Sequence, residues 1–434
     1  MKPLLWAWLV LAVSAPPVDA QTSGPSEPAP AGAAKPQSQD DDPDEDPPVR
    51  FAFPDRPSLR FGSVLRIDFR LRLQGDGHSY APVEVSDDPA WEMSRRRVGI
   101  QGTAFEYFEY EVEREIRKRG LWRDAFVNFN YFDDYQVQAG KFKIPFSQER
   151  LTGSTDLDFV YRANVVDTLS PAREIGITLH GRFNNRAVGY DAGMFRHDGE
   201  NARFDFNPGA GQTVAARIAG RPFRLTAATG GTREMEVAVA VTVSELPDGL
   251  NSLRGRTSFR EQFFAPVYVN GRRVRLGLDA DWRPGPFSLK AEFIRVTDER
   301  KNQGIFDEDL PVLVGRGWYV SGTWVLTGES KLEGIEPERP LFRGGAGAVE
   351  LATRLERLGF GSSLEGEPEL PTPRAANLLE AGLRAWTVGV NWYVNQWAKI
   401  QLNAIREQFE DPDRSPVAGR AAFWTRVVRL QFVL

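Results

Sequence analysis

The sequence predicts an all-β chain, a 16-stranded antiparallel transmembrane β-barrel. Three observations carry that expectation. The chain ends in a segment with one apolar-aromatic face, segments of about ten residues with alternating polarity recur from residue 58 onward, and short and long connections mostly alternate between them.

The terminal segment runs from Ala422 to Leu434, and every second residue back from the end reads Leu434, Phe432, Leu430, Val428, Arg426, Trp424. Side chains of a strand alternate between its two faces, so these residues share one face, interrupted by Arg426 alone. The segment is long enough to cross a bilayer as a tilted strand, and its hydropathy is as weak as barrel strands require.

Upstream, the same alternation repeats. Arg66, Asp68, Arg70 and Arg72 alternate with Ile67, Phe69, Leu71 and Leu73, and Glu109, Glu111, Glu113 and Glu115 alternate with Tyr110, Val112 and, after Arg114, Ile116. Arg273, Arg275, Asp279 and Asp281 alternate with Val274, Leu276, Leu278, Ala280 and Trp282, and Ser288, Lys290 and Glu292 with Phe287, Leu289, Ala291 and Phe293. Strands are expected at 58–73, 94–104, 107–117, 121–131, 134–142, 173–183, 186–195, 212–219, 234–244, 272–282, 286–296, 317–327, 346–357, 382–393, 396–406 and 421–433. A soluble sandwich would alternate too, but it explains neither the terminal strand nor the aromatic residues bracketing so many segments.

Connections at Glu106, Phe132-Asp133, Asn184-Asn185, Pro284-Gly285 and Asn395 are tight, and those starting near Gln74, Lys143, Arg196, Glu245, Thr297, Leu358 and Glu407 are long. Two break the rule: Lys118-Arg119-Gly120 is short, and Gly328 to Gly345 is long. An even strand count puts both chain termini at the tight-turn end, the periplasmic one.

The domain plan is residues 1–20 as a signal peptide, 21–50 as a disordered acidic Pro-rich tail, and 51–434 as the barrel. Lys2, the apolar run Leu4 to Val13 and the small-residue site Val18-Asp19-Ala20 have the order of a cleaved secretory leader, and the run is too short to span as a helix. The tail peaks in the acidic run from Asp40 to Asp46, which cannot bury a core. Eight of the 59 acidic and three of the 54 basic residues precede Phe51, leaving 51 of each beyond it. The barrel is therefore neutral, and the net charge of −5 belongs to the leader and tail. With no cysteine, disulfide and thiolate chemistry are excluded.

Several segments resemble the phosphate-selective porin O and P family. Gln138-Ala139-Gly140-Lys141-Phe142-Lys143-Ile144-Pro145-Phe146-Ser147 is similar to its Gly-(Lys/Gln)-Phe-x-x-Pro-Phe segment, and Arg97 to Thr103 to its second strand. Gly317 to Glu329 resembles its Leu-Thr-Gly-Glu strand, and Gly389-Val390-Asn391-Trp392-Tyr393-Val394-Asn395 its Gly-Leu-Asn-Trp-Tyr strand and turn. The resemblance covers nearly all the chain after the tail. It implies an outer-membrane channel, a homotrimer set in outer-membrane lipid, that passes small anions such as phosphate. The long Gly328–Gly345 connection fits it, while Leu434 stands where such strands usually end in Phe. The segment from Ser147 to Pro171 carries Gly153-Ser154-Thr155 as a helix start, and the resemblance implies that it folds inward as a constriction loop, with Asp156, Asp158, Arg162 and Asp167 as candidates at the narrowing.

A selective pore must replace lost hydration with fixed charge or hydrogen-bond donors, and the planar fork of arginine suits phosphate. The candidate pore-lining bases are Arg66, Arg70, Arg72, Arg95, Arg97, Lys141, Arg273, Arg275 and Lys290. Two arrangements remain open: an uncompensated basic ladder, or pairing with the facing acids Asp68, Glu109 to Glu115, Asp279 and Asp281, as in a general porin. An enzyme is the least supported class. His78, His180 and His197 sit beside no nucleophile motif or metal-ligand spacing. No cofactor and no nucleic-acid partner are expected, and a structural or receptor barrel is the remaining alternative.

Overall fold

A computed structural model describes residues 49–434 apart from 54–55, 81–90, 117–120, 185, 203–210, 223–224, 227–231, 333, 363–371 and 418. The expected signal peptide and nearly all of the expected acidic tail lie outside the described residues, as do residues 118–120 and 185 of the connections read above.

Sixteen antiparallel strands form the wall. The first eight are β1 (Leu65–Tyr80), β2 (Trp91–Ala104), β3 (Phe108–Glu115), β4 (Trp122–Phe129), β5 (Gln136–Lys143), β6 (Arg173–Phe183), β7 (Val188–Phe195) and β8 (Thr213–Gly220). The second eight are β9 (Thr232–Gly249), β10 (Val269–Arg283), β11 (Phe287–Arg300), β12 (Leu310–Val325), β13 (Ala348–Ser362), β14 (Ala381–Tyr393), β15 (Ala398–Phe409) and β16 (Ala422–Val433). Each pairs with its chain neighbour, and β16 pairs with β1, Val433 opposite Arg72 and Val427 opposite His78, which closes the cylinder. Closure pairs both edges of the sixteen-stranded wall, which a lipid environment demands. Among the described residues no helix is long and apolar enough to cross a membrane.

The period of two sorts the side chains. On β16, Trp424, Val428, Leu430 and Phe432 point outward, whereas Phe423, Thr425, Val427 and Arg429 point into the barrel and are buried. The same division holds on β10, with Leu276, Leu278 and Trp282 outside and Arg273, Arg275 and Asp281 inside.

The first expected strand is corrected. Residues 58–73 are not one strand: Ser58–Phe61 ends at a turn through Gly62 (φ 54°), and β1 then continues to Tyr80. Ser58–Phe61 folds back on the start of β1, Arg60 opposite Arg66, and occupies the side of β1 that β16 leaves uncovered. The tight connection at Glu106 is a three-residue reversal, Phe105 to Tyr107, with positive φ at Phe105 and Glu106. The two irregular connections keep their places: the short one lies between β3 and β4 at the long-loop end, and the long one between β12 and β13 at the tight-turn end.

Two loops fold inward and build a core inside the wall. One joins β5 to β6 and carries α1 (Gln148–Leu151) and α2 (Asn164–Leu169); the other, residues 250–268, carries a small hairpin of Gly255–Arg256 and Gln262–Phe264. Val165, Val166 and Leu169 of the first and Leu253, Phe263, Phe264 and Val267 of the second bury against Ile294, Leu313, Leu358, Phe360, Leu383 and Phe409. Those wall positions are apolar on the inner face, so near the long-loop end β11–β15 bury hydrophobic surface on both faces. The inner apolar patch drives the loops inward, through the same release of water that builds any core.

Candidate functional site

The first inward loop is tied down by carboxylates of the wall. Ser147 precedes α1, and its hydroxyl accepts the Arg150 N–H while donating to Glu292 at 2.6 Å. Glu292 also accepts the Glu149 N–H at 2.6 Å and the Tyr319 hydroxyl at 2.9 Å, so one buried carboxylate caps the helix start. The N–H of Asn164 donates to Glu356 where α2 begins, and Glu149 accepts the Ala163 N–H at 3.0 Å. The helix expected near Gly153-Ser154-Thr155 is instead a turn between these two short helices, because the caps sit at Ser147 and on the wall.

The loop's carbonyls are held by cations and amides. Arg429 donates to Val160 O at 2.6 Å, Arg275 to Leu169 O at 3.0 Å, Lys399 to Thr155 O at 2.7 Å, and Gln401 to Leu157 O at 3.2 Å. Asp158 is buried between Lys290 (2.7 Å) and Lys331 (2.8 Å). Burial alone would raise its pKa, but the two ammoniums prevail and hold the carboxyl well below the usual range. Lys331 comes from the long connection at the tight-turn end, which gives that irregularity a structural task.

The second loop is fixed the same way. Glu407 accepts the Ser258 N–H at 2.9 Å and its hydroxyl at 3.2 Å, and Asn164 Nδ2 at 3.3 Å, joining both loops to β15.

Between the loops and β2–β6 an opening remains whose charged lining is ten bases against two acids, Asp167 and Glu200. Arg95, Arg97, Arg123, Lys143 and Arg173 come from strands, Arg150 and Arg162 from the first loop, and Arg254, Arg256 and Arg260 from the second. Some are compensated: Arg97 pairs with Glu115 (2.8 Å) and Glu113 (3.3 Å), Arg123 with Glu200 (2.9 Å), Arg150 with Asp167 (3.2 Å) and Arg173 with Asp124 (2.7 Å). Others meet neutral groups. Arg95 donates to the Gln74 side chain, Lys143 to Leu151 O at 2.7 Å, and Arg162 to Glu149 O and Thr152 O at 3.0 and 2.8 Å. Burial, with Arg150 next to it, lowers Arg162 to about 10, and burial together with Arg254 and Arg260 lowers Arg256. Crowded cations in a restricted space favour an anion among them.

The bases expected from the sequence fall into separate places. Arg66 pairs with Asp68 (2.8 Å), Arg70 with Glu111 and Arg72 with Glu113 (3.3 Å), along β1 and β3. Lys141 pairs with Glu200 at 3.1 Å. Arg273 and Arg275 share Asp198 at 2.7 and 3.0 Å, away from the opening, and Lys290 serves Asp158. Of the expected bases, Arg95 and Arg97 line the opening; of the loop candidates, Arg162 and Asp167 do, while Asp158 anchors and Asp156 is exposed beside Thr155. Sequence reasoning missed Arg123, Lys143, Arg150, Arg173 and the trio Arg254, Arg256 and Arg260. The trio had one signal, three arginines within seven residues of a long loop.

The model of the phosphate-selective porin O and P family matches residues 67–434. Porin O of Pseudomonas aeruginosa is 29% identical over 381 residues, covering 80% of this chain and 82% of its own length. Among solved structures, the loop L8 deletion mutant of OmpT from Vibrio cholerae superposes with a TM-score of 0.53 at 10% identity, over 85% of this chain and 99% of its own. The outer-membrane channel DcaP of Acinetobacter baumannii gives 0.52 at 10% identity, over 86% and 98%. At that identity the likeness is one of fold.

Proposed function

The chain belongs to the phosphate-selective porin O and P family, outer-membrane channels rather than enzymes, and from that premise we propose that it passes small anions through the arginine-lined opening between its two inward loops. One observation supports this above the rest. Acid and base are equal in number beyond residue 50, yet they are placed differently: wall carboxylates accept the N–H groups that anchor the loops, and arginines line the opening between the loops and β2–β6. A neutral barrel thereby gains a cationic opening.

Phosphate fits the lining chemically. Its oxygens accept several donors at once, and a guanidinium offers two parallel N–H groups without losing its proton at any working pH. Arg95, Arg162, Arg256 and Arg260 stand as an array along which an anion exchanges one donor for the next. Conduction needs such weak multiple sites rather than one tight site.

A general porin without ion preference is the competing reading, and the pairs Arg70–Glu111 and Arg72–Glu113 favour it for the wall between β1 and β3. The reversal potential across a planar bilayer under a tenfold salt gradient separates the two. Displacement toward the anion's equilibrium potential supports the proposal; a value near zero or toward the cation refutes it.

The same reading includes residues 1–20 as a leader removed before Gln21, the tight-turn end facing the periplasm, and assembly as a homotrimer. A trimer form of OmpT of Vibrio cholerae has the same fold, with a TM-score of 0.52 at 10% identity. Amino-terminal sequencing of the protein purified from outer membranes, and native mass spectrometry of the detergent complex, test the leader and the trimer.

A further inference from the structure

We propose that the outer surface of β11–β14 holds the phosphorylated headgroup of a membrane lipid in a groove at the long-loop end of the apolar band. Arg295 and Arg316 face outward and are register partners on β11 and β12, and one outward pair deeper their places are taken by Phe293 and Trp318, also register partners. On the next two strands Arg357 lies opposite Arg384, and the outward pair below is Leu355 and Trp386. Arg357 is the register partner of Trp318, so all four adjacent strands change from apolar to cationic toward this end, β13 and β14 one outward pair deeper than β11 and β12. Aromatic residues mark the membrane–water interface, so these guanidiniums stand at headgroup height, where an outward arginine is cheap to place.

A groove runs between them. Gly359, opposite Arg316 on one side and Gly382 on the other, leaves the sheet surface without a side chain, and Gly361 extends the gap. The acids that line it are Glu380 and Glu410, against Arg295, Arg316 and Arg357. Glu410 is already shared by Arg357 (2.8 Å) and Arg384 (3.2 Å), and among the described residues Arg295 and Arg316 have no ion-pair partner. Two adjacent guanidiniums with no carboxylate between them repel one another. A phosphate monoester between them accepts both forks and removes the repulsion, while the acyl chains attached to it lie along Phe293 and Trp318. A free phosphate ion would satisfy the arginines without using the aromatic floor below them. A lipid uses both, and the groove opens on the face that carries the apolar band.

The inference rests on the barrel reading and not on anion conduction, so the two fail separately. The test is native mass spectrometry of the detergent-purified full chain with diphosphoryl lipid A, the same lipid without its phosphates, and inorganic phosphate as a competitor. Wild type should retain the diphosphoryl lipid, the dephosphorylated form should bind at least tenfold more weakly, and R295Q/R316Q should lose about tenfold in affinity. G359L, which fills the groove without removing a charge, should weaken the lipid as well. Unchanged heat-modifiable migration and single-channel conductance certify that each variant is folded. Equal binding by R295Q/R316Q, equal binding of the dephosphorylated lipid, or complete displacement by millimolar inorganic phosphate would each overturn the proposal, the last by showing a simple anion site.

Discussion

The Glu407 carboxylate, on the inner face of β15, accepts the N–H of Ser258 at 2.9 Å, two residues from Arg256 and two from Arg260. One wall acid thus places two lining arginines. Glu407→Ala removes this acceptor and the one for Asn164. The expected loss of stability is about 1–3 kcal/mol, the range for stranding buried donors. Arg256 and Arg260 should then move more freely, giving larger current noise and faster proteolysis between residues 250 and 268. Unchanged noise and protection would show that the loop is held by its apolar residues alone.

Asp158 gives a pH dependence. Its folded-state pKa is depressed by Lys290 and Lys331, so the stabilisation is present above the unfolded value of about 4 and disappears as pH falls through the lower folded value. The first loop should stay anchored through mildly acidic pH and loosen only below about pH 4. Thermal unfolding between pH 6 and pH 2 measures this. Asp158→Asn should cost about 3–5 kcal/mol at neutral pH, because it leaves the buried Lys290 ammonium without its carboxylate while Lys331 keeps Glu350, and should flatten the acid limb of the curve. An acid limb identical to wild type would assign the dependence to other carboxylates.

The outward face of β16 makes a simpler test. Val428 sits midway along it, between Trp424 and Phe432. Val428→Arg places a guanidinium in hydrocarbon and should cost about 2–4 kcal/mol in lipid vesicles, whereas Val428→Leu should be nearly neutral. Equal stability of the two variants in reversible denaturant unfolding would mean that this face does not touch lipid.

Much of the wall was legible in the sequence, because period-two alternation is a local signal. Arg173–Phe183 was bounded from its residues alone, and most other strands lie within a few residues of their expected limits. The exception is instructive: residues 58–73 alternate acceptably through Gly62, and only pairing across the hairpin shows the reversal there. The opening was far less legible. Arg95 and Arg97 were found on the inward phase of a strand, but Arg254, Arg256 and Arg260 reach the lumen because Phe263 and Phe264 pack on Phe360, nearly a hundred residues away in sequence. Alternation carries no record of such contacts. Nor does it say which partner a base will take, and Lys290 and Arg273 turned out to face Asp158 and Asp198, both loop residues.

The acidic tail is expected to be a solvated spacer. Deleting residues 21–48 should leave conductance and ion preference unchanged in planar bilayers. A change in either would mean that the acid run acts on permeating ions as a tethered charge at high effective concentration.

The central claim is that the wall acids hold the loops while loop arginines select the ion. It is tested most directly by the reversal potential of single channels under a tenfold potassium chloride gradient, for wild type and for R256Q/R260Q. Wild type should reverse on the anion side and the double variant should move toward zero with its barrel intact. Identical potentials for the two, or a cation-side value for wild type, would contradict the account.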